Sequence, residues 1–177
     1  VDDYAELADL RHPSLAVRQL QSRLTAAGFP VTNVFVVSDQ APVPKYLPSK
    51  ANIERQVELV VSLPSENDLL VVVLCGRVLH REGKSFLCPL DASLANTAGT
   101  AIDLQTIFER IGSSAAKHKL LVMDVAPAAG KDAAGVLDPL LERWRDPPAG
   151  MSVWFSCGKG ESSLVASSLD WTIFMHY

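Results

Sequence analysis

Residues 68–75 read Asp-Leu-Leu-Val-Val-Val-Leu-Cys, with no polar side chain between Leu69 and Cys75. This run constrains the fold more than any other feature. Half-exposed strands alternate apolar and polar residues, whereas an unbroken β-branched run suits a strand covered on both faces, as in a parallel sheet between helices. A second such run, Lys-Leu-Leu-Val-Met, occupies 119–123, and further strand-like stretches lie at 31–37, 85–88 and 151–156. Helical periodicity fills the intervals. Residues 13–27 carry Val17, Leu20 and Leu24 on one face, with Pro13 in the first turn and Gly28 at the end. Ser49 is placed to cap a second helix bearing Ile53, Val57, Val60 and Val61, and Asp103 a third bearing Leu104, Ile107, Phe108 and Ile111 before Gly112. Residues 136–144 offer Leu137, Leu140, Leu141 and Trp144, and a last helix is expected from near Asp170. Residues 39–48, with three prolines, read as a loop. Strands alternating with helices predict an α/β fold with a mostly parallel central sheet and helices on both faces.

The 177 residues suit one domain spanning 1–177. A net charge of −4 argues against a general nucleic-acid binder. No apolar run reaches the roughly 18–20 residues of a membrane span. Cys75, Cys88 and Cys157 are too few and too irregular for a disulfide framework and are expected to pack as free thiols in a reducing, cytoplasmic compartment. His12, His80, His118 and His176 lack metal-ligand spacing, so neither metal nor other cofactor is expected. Residues 1–4 look like the tail of a lost strand and residues 174–177 like the start of a helix, the pattern of a fragment.

In open α/β sheets, sites form beyond the C-terminal strand ends. Two corners follow: Gly76-Arg77-Val78-Leu79-His80 after the first run, and Asp124-Val125-Ala126-Pro127-Ala128-Ala129-Gly130 after the second. On neighbouring strands they would face one another. Neither holds a nucleophile with a histidine to activate it.

These corners and the segments around them resemble the caspase-like (clan CD) cysteine peptidases, especially bacterial orthocaspases and metacaspases. Lys50-Ala51-Asn52-Ile53 is similar to a family helix start. Gly83-Lys84-Ser85-Phe86-Leu87-Cys88-Pro89-Leu90-Asp91-Ala92 is similar to the stretch after the family's catalytic histidine. Phe155-Ser156-Cys157-Gly158-Lys159-Gly160-Glu161-Ser162 and Phe174-Met175-His176-Tyr177 resemble two later segments. The resemblance covers most of the chain and implies a caspase-like three-layer sandwich lacking part of its first strand and its C-terminal helix region. It also implies where a catalytic dyad belongs. The family histidine falls on Arg77 and the glycine after it on Val78; the family cysteine falls on Ala126 and the histidine after it on Pro127. Thiolate attack needs a sulfur and a base, and neither alanine nor arginine supplies one. Asp124 matches the aspartate that in this family helps bind a basic P1 side chain.

The resemblance thus implies a pseudoprotease holding a protein partner or another domain of its own chain, with Gly76, Val78, His80, Pro127 and Cys157 lining the old cleft. Asp124 is either a remnant of the substrate pocket or the partner of Arg77 in an ion pair filling the vacated centre. Two other functions stay open: a cysteine endopeptidase with a displaced nucleophile, using Cys75 with His80 or using Cys157, and a small-molecule or nucleotide-binding α/β domain. Arg77, His80, Arg81 and Lys84 form a basic cluster able to hold an anion, and Gly158-Lys159-Gly160 faintly resembles a phosphate loop. Trp144, Trp154 and Trp171 are expected in the core.

Overall fold

A computed structural model describes residues 1, 3–10, 13–128, 135–161, 163, 172 and 174. The expected last helix apart from Thr172 and Phe174, together with Trp171, His12, His176 and the Ala129-Gly130 pair, lies outside them. Among the described residues five strands form one sheet: β1 (Leu69–Arg81), β2 (Lys84–Cys88), β3 (Ile102–Asp103), β4 (His118–Pro127) and β5 (Met151–Phe155), in the order β3-β2-β1-β4-β5. The helices are α1 (Pro13–Ala26), α2 (Lys50–Ser62), α3 (Thr97–Thr100), α4 (Leu104–Ser113) and α5 (Asp138–Arg143). The fold is α/β, as expected. The sheet is mixed with a mostly parallel core: β1–β4 and β4–β5 are parallel, and the shorter β1–β2 and β2–β3 ladders are antiparallel.

The two apolar runs become adjacent parallel strands, Leu69 to Val78 in register with His118 to Pro127. Leu70, Val72, Leu74 and Val78 of β1 and Leu121, Met123 and Val125 of β4 share one core with Ile53 and Val57 of α2, the apolar face of α4, and Leu140 beside α5 neighbours Leu137 and Trp144. Ser49 and Asp103 cap their helices as anticipated, accepting from the backbone N–H of Asn52 and Gln105. Trp144 is buried, stacks on Phe108 at 4.7 Å and donates its indole N–H to Gln105 Oε1. A second, smaller cluster gathers Val1, Tyr4, Leu7, Cys88, Ala92 and Ala128.

Several expectations fail for identifiable reasons. Residues 31–37 form no strand: Val31–Asn33 is a 3₁₀ turn, and the rest has no ladder partner among the described residues. An apolar run of that length becomes a strand only where a neighbour satisfies its backbone groups. The proline-rich loop contains one 3₁₀ turn, Pro44–Tyr46. Gly112 lies inside α4, and α5 is shorter than expected because 135–137 form a turn. Val1, Asp3 and Tyr4 belong to no strand. Trp154 is not core: it sits on the solvent side of β5, 58% exposed.

The largest departure concerns the first corner. Gly76-Arg77-Val78-Leu79-His80 is not a loop, since β1 continues through it to Arg81 and turns back into β2. The turn is Glu82-Gly83, with φ of 52° and 74°. A two-residue hairpin with both φ positive follows the right-handed strand twist, and glycine takes that conformation without strain. Ladder bonds to β4 on one side and β2 on the other carry the strand past Gly76.

Candidate functional site

The sheet register brings the two singled-out positions together. Arg77 is the β-partner of Ala126, and Cys75 of Asp124. Because side chains alternate along a strand, Cys75, Arg77, Asp124 and Ala126 share the sheet face opposite the main core. Adjacent strands lie about 4.8 Å apart, so Arg77 and Ala126 are immediate neighbours. On its other side Arg77 is paired with Cys88. That neighbour was not apparent from the sequence, because the loop expected after Cys75 hid the hairpin that returns Cys88 to this row.

Every guanidinium nitrogen of Arg77 has a partner, and none of these partners is Asp124. Its Nε donates to the carbonyl of Ala8 at 3.0 Å, Nη2 to that of Asp9 at 3.0 Å, and Nη1 to that of Pro127 at 2.7 Å. Its backbone N–H donates to the Tyr4 hydroxyl at 2.7 Å. The guanidinium therefore ties residues 4–9 to the end of β4. The Arg77–Asp124 ion pair, one of the alternatives left open by the sequence, is absent among the described residues, whose ion pairs are Arg81–Glu82, Lys84–Asp103 and Lys159–Glu142. The carbonyls displace that pairing because they match the guanidinium fork where the chain's own N-terminal segment crosses the corner. Asp124, 6% exposed, accepts instead from the hydroxyls of Ser163 and Thr172.

The thiols near this corner are poor nucleophiles. Burial raises the Cys75 thiol to about 12, the Asp124 carboxylate adding to the effect. Burial raises Cys88 to about 11, partly opposed by Arg77. Cys157, half-buried, is also raised, chiefly by burial, and its Sγ lies 3.7 Å from the Glu161 carbonyl. His80 pairs with Ser85 across the hairpin, its Nδ1 3.0 Å from Ser85 Oγ. Five residues of strand, about 16 Å, separate it from Cys75, and the odd spacing puts the two on opposite faces. They form no pair. Val78 is fully buried in the main core rather than lining a cleft, Gly76 is also buried, and Pro127 is half-buried at the end of β4. A Cβ added at Gly76 would stand 3.1 Å from the Tyr4 hydroxyl.

The other basic and glycine-rich features are dispersed or occupied. Arg81 and Lys84 line a cavity at the hairpin, away from Arg77 and His80. In the Gly158-Lys159-Gly160 turn the amide of Gly158 donates to Glu161 and that of Gly160 to Asp138, while Lys159 Nζ is 2.5 Å from Glu142. The chain's own carboxylates thus fill the places a phosphate would take. Among the described residues, no cluster of three or more His, Cys, Asp or Glu side chains is arranged for a metal, and no helix is long and apolar enough to cross a membrane.

Fold and site together define an α/β protein whose strand-end corner is closed by its own N-terminal segment and held there by an arginine. Compared with known protein families and curated proteins, the chain matches no family model and no curated protein.

Proposed function

We propose that this chain is a caspase-like pseudoprotease, a scaffold of the cysteine endopeptidase family without its catalyst, which acts as a protein-binding or regulatory module. The observation that carries this reading is the register pairing of Arg77 with Ala126. The two positions that the family resemblance assigns to a histidine and a cysteine stand side by side on adjacent parallel strands, on one face of the sheet. A dyad needs that proximity, and neither residue can serve in one. The contacts of Arg77 support the reading further: each of its three guanidinium nitrogens donates to a backbone carbonyl beside Ala126 or in the N-terminal segment. Trp154, exposed on β5, the end strand of the sheet among the described residues, supports a protein-binding face, since tryptophan is enriched at interface hot spots.

The test is hydrolysis of fluorogenic peptides ending in Arg, Lys or Asp, with and without calcium. No release above the buffer rate is expected. Turnover that disappears in Cys75→Ala, Cys88→Ala or Cys157→Ala would reassign the chain as an enzyme with a displaced nucleophile.

A further inference from the structure

A cavity of about 550 Å³ lies between α2, α4 and the β1–β2 hairpin, away from Arg77 and Ala126. Its size falls within the range that accommodates small organic ligands. Ile53, Val57, Phe86 and Ile107 give it an apolar floor. Four cations and three carboxylates also line it, an excess of one positive charge.

Most of those charges are already committed. Lys84 is paired with Asp103 at 3.0 Å, and Asp103 also caps α4. Arg81 donates to the Leu94 carbonyl and the Thr97 hydroxyl and lies 3.8 Å from Glu82. Lys50 Nζ donates to the Gly99 carbonyl. Two groups remain. Arg110 of α4 has no side-chain hydrogen bond or ion pair among the described residues, and neither has Glu54 of α2. The cavity therefore combines a greasy floor, one guanidinium with its donors free, and Lys50 still able to share a donor.

We propose that this cavity binds a small organic carboxylate with an apolar tail, its head on Arg110 and its tail on Ile53, Val57, Phe86 and Ile107. A guanidinium fork matches a carboxylate in two parallel hydrogen bonds. The positive excess disfavours organic cations. Glu54, also in the cavity lining, disfavours dianions, which selects one negative charge over two. The inference is independent of whether the chain once was a protease.

The probe is 4-phenylbutyrate, titrated by calorimetry into the intact chain, with 4-phenylbutanol as the neutral counterpart and 4-phenylbutyl phosphate as the dianion. The carboxylate is expected to bind, and the other two more weakly. Arg110→Gln should weaken the carboxylate about tenfold or more, the usual scale for losing a charge-assisted pair. Glu54→Gln should tighten it by removing the opposing charge. Thr106→Trp, a change at an exposed lining position, should block binding by filling the space, while Lys117→Gln, an exposed cation elsewhere, should leave it unchanged. Far-ultraviolet circular dichroism of each variant separates loss of the site from loss of the fold. Equal binding of the alcohol, an unchanged affinity in Arg110→Gln with the fold intact, or no heat up to about 10 mM probe, weaker than any useful affinity, would overturn the proposal.

Discussion

Replacing Arg77 with alanine is the sharpest test of how this corner is built. The substitution removes three hydrogen bonds from one cation, to the carbonyls of Ala8, Asp9 and Pro127. Bonds to a charged group contribute roughly 1.5–3 kcal/mol each, but water can replace the donor wherever the acceptor is exposed. The bonds to Ala8 and Asp9 are exposed and the one to Pro127 is partly buried. The total is then about 2–4 kcal/mol rather than the full sum of three. For a chain of this size that lowers Tm by roughly 5–15 °C. The loss should also be local. Backbone amides of residues 4–10 should exchange hydrogen faster, while those of β4 outlast them, because only the first group depends on the guanidinium for its place. Arg77→Lys should recover only part of the loss, since an ammonium cannot reproduce a three-way fork. Urea unfolding followed by fluorescence, together with amide exchange, measures both. If Arg77→Ala stays within about 0.5 kcal/mol of the parent, the range of an ordinary surface change, and exchange near Tyr4 is unchanged, the clasp is not holding the segment.

Two further outcomes follow from the core and the buried thiols. Trp144→Ala should destabilise by about 3–5 kcal/mol, because it empties a buried site stacked on Phe108 and leaves Gln105 Oε1 without its donor; chemical denaturation reads this directly. Cys75 and Cys88 keep their protons in the folded chain to about 12 and about 11, against an ordinary value near 9. The unfolded chain therefore loses these protons first. The stability they contribute is complete below pH 9 and drains away as pH rises through 11 and 12, an alkaline decline that a Cys75→Ala, Cys88→Ala double variant should flatten.

Much of the architecture was readable from residue types alone. The runs at 68–75 and 119–123 had to be buried strands, because no alternation was available to leave one face wet. The spacing of Leu104, Ile107, Phe108 and Ile111 behind a capping Asp103 had to be a helix, and the absence of a thiol or imidazole at positions 77 and 126 needed no coordinates. These are local properties, set within a few residues by side-chain periodicity and capping. Tertiary structure decided everything that depends on a partner distant in sequence. Residues 31–37 have strand-forming side chains but no neighbouring strand, so they do not extend a ladder, whereas Gly76 to Arg81, which reads as a break, is carried through by ladders on both sides. Arg77 illustrates the division best. The sequence determined that it cannot act as a base; only the folded chain, which lays residues 4–9 across the strand ends, determined that its guanidinium would be taken by the carbonyls of Ala8, Asp9 and Pro127 rather than by the carboxylate of Asp124. Composition names the donors and acceptors a chain possesses, but which of them meet depends on where the backbone brings its remote segments together.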